Sequence, residues 1–208
     1  MKTVPVLVLA SASPARKSLL ISAGIEPEIV VSGVDESAVE AGSPETLCIV
    51  LARLKAHSVA ERLKHRGHSP ARTADLVLGC DSVLAFDGEI LGKPAGAEEA
   101  VKRWHAMRGR SGVLYTGHCL VDLSTGRAAE KVGSTVVHFA SLSDDEIQSY
   151  VDSGEPMQVA GAFTIDGRGA PFVERIEGDH GTVVGLSLPL LRRLLHELDR
   201  SIVDLWHR

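Results

Sequence analysis

The sequence predicts a mixed α/β fold, a twisted sheet with flanking helices, and three observations carry that expectation. Apolar runs of strand length lead into helix-capping residues, as where residues 4–10 give way to Ser13-Pro14. Hairpin signals stand at Asp87-Gly88 and Ser124-Thr125-Gly126, so crossovers and hairpins should share one sheet. The chain has 208 residues, 44% hydrophobic and 24% charged, which suits one domain over 1–208 that buries its core without disulfides or a structural metal.

Taken in order, residues 4–10 read as a buried central strand. Ser13 is placed to cap a helix and Pro14 to occupy its first turn, while Leu19, Leu20 and Ala23 give it an apolar face and Gly24 its end. Residues 28–32 predict a second strand, leading to a polar loop at Asp35-Glu36. A second helix should run from Ser43-Pro44 to about residue 66 with Leu47, Val50, Leu51 and Leu54 inward, followed by a loop over 67–74. Residues 75–86 form a long strand pattern, turned back at Asp87-Gly88 into residues 89–91. A helix follows over 97–107, closed by Gly109, and then two strands over 113–123 and 128–140. Ser143 and Glu146 form a capping box for a helix through Val151 that Gly154 ends. Residues 161–169 read as a glycine-rich loop or irregular strand, and 189–198 as a closing amphipathic helix.

Charge and composition exclude some functions. Asp+Glu 27 against Lys+Arg 22 gives a net charge of −5, unfavourable for a nucleic acid polymer or an anionic membrane. With 4% aromatics, the chain is also a poor base-stacking reader of single strands. The charge is uneven: six basic residues against one acid over 50–72, nine acids against two arginines over 142–180. These stretches either flank one cleft or form two solvated faces. The N-terminal apolar run is too short for a signal core or a membrane span, so a cytoplasmic location is expected. Cys48, Cys80 and Cys119 have no metal-type spacing and read as small buried hydrophobes.

Five places could carry chemistry. At Ser11-Ala12-Ser13-Pro14-Ala15-Arg16, a helix start with two hydroxyls and a guanidinium suits phosphate oxygens; the alternative is an ordinary capped helix with a surface arginine. No GxxxxGK[ST] loop is present. Asp81 interrupts an apolar strand at Gly79-Cys80-Asp81-Ser82, where a carboxylate is costly unless it faces a cleft, a metal or a partner. Lys93, in Leu91-Gly92-Lys93-Pro94, follows the hairpin and could return towards Asp81, although a turn lysine is usually just solvated. Lys55 lies on a helix, where a solvated surface lysine is the ordinary outcome. Asp35 and Glu36 either bind a metal or face water. The nine histidines offer no HExxH, and His65 and His68 fall in a polar segment; G-x-S-x-G is absent as well.

In order along the chain, these pieces resemble the Maf-like nucleoside triphosphate pyrophosphatases. The resemblance rests on LASASPARKSLL (9–20), VDE (34–36), LARLKA (51–56), GCDSVL (79–84), LGKP (91–94), LYTGHCLV (114–121), YVDSGE (150–155), AGAFTIDGRG (160–169) and VVGLSLPLL (183–191). It implies an elongated two-lobed fold like that of the inosine-triphosphatase enzymes, with a central cleft. It also implies hydrolysis of a nucleoside triphosphate to monophosphate and pyrophosphate, with Mg2+ or Mn2+ as cofactor. Asp81 matches the family's proton acceptor, Lys93 and Lys55 its two lysines, Ser11 and Arg16 its phosphate contacts, and Glu36 its acidic metal or water ligand; Glu36 and Asp81 would together hold the metal.

The resemblance places Ser13, Ser82 and Asp166 in substrate binding. It implies house-cleaning of modified or noncanonical nucleotides, in an enzyme for which a homodimer is open. A nucleotide-binding regulator of cell division, with little turnover, is the second reading, and an inosine- or xanthosine-triphosphate pyrophosphatase the third. Three departures leave the base open: Ala15 replaces the first of two arginines, Ser82 stands where dTTP- and UTP-preferring members have threonine, and Asp166 matches neither their glutamine nor the glutamate of members acting on methylated guanosine triphosphate.

Overall fold

The computed structural model describes residues 5–39, 41–65 and 74–206; the loop expected over 67–74, with His68, lies outside them except for Ala74, which opens a strand. The chain forms β1 (Val6–Leu9), α1 (Pro14–Ser22), β2 (Glu28–Ile29), α2 (Pro44–His65), β3 (Ala74–Phe86), β4 (Glu89–Leu91) and α3 (Ala97–Met107). It continues with β5 (Ser111–Asp122), β6 (Ala128–Phe139), α4 (Asp144–Asp152), β7 (Val173–Glu177), α5 (His180–Val184) and α6 (Leu188–Glu197). The strands make one seven-stranded mixed sheet in the order β2-β1-β3-β5-β6-β7, with β4 beside β3. β2, β1 and β3 are parallel, and the remaining pairs are antiparallel.

Local sequence explains the ends. The Ser13 hydroxyl accepts from Arg16 N and caps α1; Ser143 and Glu146 make the reciprocal capping box of α4. The expected second strand shrinks to two exposed residues, because only Val8 and Leu9 lie alongside it. β7 and α5 were not expected. β7 pairs on one side and buries neither face, and five-residue α5 is too short to show a period. Residues 161–169 form no strand; 3-10 turns and bends occupy that stretch.

Each long strand shows its two sides to different cores. The odd residues of β3 face α2, where Val77 packs with Ala52, Ala56, Val59, Cys119 and Val121. Its even residues face two separate cores. Leu76, Leu78 and Cys80 join Leu20, Leu191 and Leu195 from α1 and α6. Leu84 and Phe86 join Trp104, Phe139, Ile147 and Tyr150, whose rings meet edge to face around Trp104. Between the two cores, the polar pair Ser82 and Thr116 lies in register on adjacent strands, with Thr116 fully buried and the pair covered by Arg16 and Thr182. That polar interval separates the two cores.

α2 corrects the expected inward face. Leu51 is buried as expected, but Leu54 is 40% exposed, and the rest of the buried side is Cys48, Ala52, Lys55, Ala56, Val59 and Ala60. Small residues win because the helix backbone lies directly on the sheet. A Cβ at Gly79 would run into Ala52 O and stand 2.7 Å from Ala56 N, and one at Gly117 would run into Cys48 O. Any larger side chain at these contacts would lift the helix.

Candidate active site

The sheet leaves one edge open where the candidate residues gather. β1 ends on β3 with Leu9 opposite Leu78, and antiparallel β4 ends with Leu91 opposite Leu84. Leu84 and Ala85 also pair with β5, so β4 must share β3's other edge with β1, and residues 79–83 face no strand there. The two short strands run towards each other along this edge. The chain leaving β1 carries Ser11, Ser13 and Arg16 into the gap, and the chain leaving β4 carries Lys93 towards the level of Ser82. An interruption of this kind is where ligands settle in open α/β sheets.

Arg16 fills the gap from the two-core side and is 9% exposed, contrary to a free surface arginine. Its Nε donates to Gly185 O at 2.8 Å, Nη1 to Cys80 O at 2.9 Å and Ser11 Oγ at 3.1 Å, and Nη2 to Ser82 Oγ at 3.1 Å. Four of five guanidinium hydrogens are thus committed. The hydroxyl chain behind it has a direction. Thr116 Oγ1 donates its single hydrogen to Thr182 O at 2.8 Å, so in the 2.8 Å contact between Ser82 and Thr116, Ser82 must donate. Ser82 therefore accepts from Arg16 and donates to Thr116, with no hydrogen left for a ligand. Ser11 is the opposite case: Oγ accepts from Arg16 and from Ser13 N, leaving its own O–H to donate outward.

On the α2 side, Asp81 is 6% exposed and Lys55 also 6% exposed, a correction of the solvated helix lysine. Lys55 Nζ lies 2.5 Å from Asp81 Oδ1 and 2.7 Å from Glu36 Oε1. Glu36 opens a 3-10 turn capped by Asp35, whose carboxylate accepts from Ser37 N and Oγ; its own side chain is half exposed. Burial pushes the Asp81 carboxyl above the ordinary aspartate range, and the neighbouring Lys55 and Arg16 recover only part of that shift. A buried carboxylate with a raised proton affinity, next to the half-exposed Glu36 at an open sheet edge, is the form a general base takes.

Two expected residues stand apart. Lys93 is exposed, and no ion pair holds it among the described residues. Asp166 is exposed in a bend, with no hydrogen bond to the Asp81 group among the described residues. Other residues matter that sequence reasoning left without a role: Thr116, Thr182 and Gly185, which anchor the Arg16 network, and Glu155, which gathers the 164–169 segment. Thr116, Gly185 and Glu155 lie in motifs of the resemblance and Thr182 just before one, yet only the fold shows what they touch. His118 is buried, with Nε2 accepting from Ser187 N and Nδ1 without a partner; burial lowers its pKa to about 4 and keeps it neutral.

Glu36 and Asp81 fit a hard divalent cation. Their oxygen donors already converge on one positive charge, the Lys55 ammonium. A different cluster, His57, Cys119 and Glu130, has its ligand atoms within 4.8 Å of one another. It suits Mg2+ or Mn2+ poorly, since Arg53 grips both Glu130 oxygens and burial raises the Cys119 thiol to about 12. All three cysteines are free and buried, as expected. Among the described residues no helix is long and apolar enough to cross a membrane.

Known proteins resemble this chain over most of its length. A family model described as Maf-like protein matches residues 6–198. A curated nucleoside triphosphate pyrophosphatase of Salinispora tropica is 65% identical over 202 residues, 97% of this chain and 88% of that protein. Proteins of that name from Streptomyces coelicolor and Trichormus variabilis are 58% and 50% identical, over 96% and 99% of this chain and 94% and 100% of theirs.

Proposed function

The chain belongs to the Maf-like family, and from that premise we propose that it is a nucleoside triphosphate pyrophosphatase, a hydrolase working as one domain over 1–208. The observation that carries this reading is the buried Asp81, bound to Lys55 at a sheet edge left open between β1 and β4. No structural requirement of the fold calls for a carboxylate there.

The chemistry follows from the geometry. Water attacks the α-phosphorus of a nucleoside triphosphate; the bond from that phosphorus to the oxygen bridging it to the β-phosphorus breaks, releasing monophosphate and pyrophosphate. Asp81, ionised, takes the water's proton. Ser11 donates its free O–H to a phosphate oxygen, Ser13 shapes the helix start beside it, and Arg16 adds its charge and one remaining N–H. Lys55 and exposed Lys93 neutralise the triphosphate from two sides. Glu36 and Asp81 would hold Mg2+ or Mn2+, which supplies charge neutralisation on the phosphate oxygens when bound. Ser82 acts through Arg16, and Asp166 reads the base.

The substrate class is a (d)NTP, with house-cleaning of modified or noncanonical nucleotides the role this reading favours. A pyrophosphate-release screen over canonical, deoxy and methylated triphosphates, with Mg2+ and Mn2+, tests it. Turnover on at least one, abolished by Asp81→Asn in a folded variant, is the expected result. Binding without release across the panel would favour the division-regulator reading instead.

A further inference from the structure

The carboxylate of Glu155, just beyond α4, is the hub of the segment that bears Asp166. Its Oε1 accepts from Thr164 Oγ1 at 2.5 Å, Gly169 N at 3.0 Å and Tyr150 Oη at 3.2 Å, and its Oε2 accepts from Arg168 N at 3.0 Å. Tyr150 Oη also receives Thr164 N at 3.1 Å. The turn is wrapped tightly around this group. A Cβ at Gly167 would stand 2.7 Å from both Glu155 oxygens, and one at Gly169 would stand 2.6 Å from Thr164 O. Burial alone would raise the Glu155 carboxyl, but the hydrogen bonds outweigh it and hold the group below the ordinary range, ionised.

The same segment is tied at its start to the loop that bears Lys93. Gly161 N donates to Gly92 O at 3.1 Å, next to Lys93, and Trp104 Nε1 donates to Ala162 O at 2.8 Å. Two fixed points therefore bracket residues 162–169, one at the Lys93 loop and one at Glu155. Asp166, with no hydrogen bond of its own among the described residues, takes its place from these anchors.

We propose that Glu155 is a positioning residue for base discrimination: it holds the Asp166 segment at a set distance from the triphosphate charges without touching substrate itself. This rests on the pyrophosphatase reading and deepens it. A group fixed by a surrounding network discriminates more sharply than one on a free loop, because a wrong base then meets a rigid mismatch. Losing the hub should erode the preference between bases more than the hydrolysis that every triphosphate shares.

The test compares wild type, Glu155→Ala, Asp166→Asn and the double variant, using triphosphates that differ only in base. The ratio of kcat/KM between best and worst base should fall about 10-fold or more in Glu155→Ala, mainly through KM, with kcat on the best base less affected. In the Asp166→Asn background the same change should shift the ratio little. If Glu155→Ala fails to fold, Glu155→Gln is read instead; its amide opposes the Arg168 N–H, so a smaller shift in the same direction is expected. An equal loss of kcat/KM for every base, or a wild type with no base preference, overturns the proposal. Absence of pyrophosphate release from every triphosphate in the wild type overturns the pyrophosphatase reading, and this proposal with it.

Discussion

Lys55 and Asp81 form a buried ion pair, 2.5 Å from Nζ to Oδ1, with each side chain less than a tenth exposed. Half-exposed Glu36 completes it at 2.7 Å from the solvent side. Two carboxylates share this ammonium, with Arg16 the next cation felt by Asp81. A divalent cation held by the carboxylates would add positive charge facing the triphosphate, so metal and substrate should bind in a linked way.

Lys55→Met should therefore destabilise by about 3–5 kcal/mol, since Asp81 would remain buried without its partner. At about 2–4 °C per kcal/mol for a chain of this size, a thermal melt should show a fall on the order of 10 °C. Adding Asp81→Asn to Lys55→Met removes the stranded charge and should recover much of the loss, while pyrophosphate release stays absent. A double variant no more stable than Lys55→Met would refute the pairing argument.

As the proposed general base, Asp81 should set the acid limb of activity. Its carboxyl lies above the ordinary aspartate range because burial disfavours the charged form. As a base it works only when ionised, so kcat/KM should rise with pH through that elevated value. Stability should show the opposite sign. Below the unfolded value both states hold the proton; between that value and the folded one, only the native state does, so stability falls as pH rises across the window. A pH profile whose acid limb sits at the ordinary aspartate value would show that Asp81 is not the group titrating.

The hydroxyl relay from Ser82 through Thr116 to Thr182 O predicts indirect effects at Ser82. Ser82→Ala removes the acceptor of Arg16 Nη2 and the hydrogen bond to Thr116, costing about 1–2 kcal/mol. Because Ser82 has no hydrogen to offer a ligand, the kinetic loss should appear through Arg16. Thr116→Val, which cuts the relay one step further on, should lower kcat/KM in proportion to Ser82→Ala across all bases. Loss for one base alone at Ser82 would indicate direct contact with it.

Much of this site is legible in the sequence, and the remainder is hidden for identifiable reasons. Asp81 betrays itself as a carboxylate in an apolar strand, and Ser13-Pro14 and Ser143–Glu146 mark helix starts through local hydrogen bonding that needs no tertiary context. Lys55 misleads, because the lysine type favours solvent and only the close contact of α2 with Gly79 and Gly117 reveals that its face is buried. Thr116 and Thr182 are ordinary residues whose value is their register, which periodicity does not encode. Glu155 follows the Gly154 that ends α4, and no local signal shows that the fold brings Arg168 N and Gly169 N to it.

That dependence on α2's closeness gives a prediction that removes no chemical group. Gly79 stands on β3, two residues before Asp81, and the helix backbone at Ala52 and Ala56 occupies the space its side chain would need. Gly79→Ala adds one methyl group, against rigid main chain rather than a side chain able to turn away. Overpacking of this kind costs about 1–3 kcal/mol, and relief comes mainly by lifting α2. Lifting carries Lys55 away from Asp81, and a shift of about 1 Å in catalytic geometry can cost on the order of 100-fold in rate. Gly79→Ala should thus lower the melting temperature by several degrees and kcat far more steeply than that stability loss alone explains. Gly33→Ala serves as the comparison: Gly33 has a positive φ of 69° but open space around it, so its strain stays local to an exposed turn. It should cost stability without a matching loss of turnover. Equal kinetic losses in the two variants would mean that the closeness of α2 does not set the Lys55–Asp81 distance.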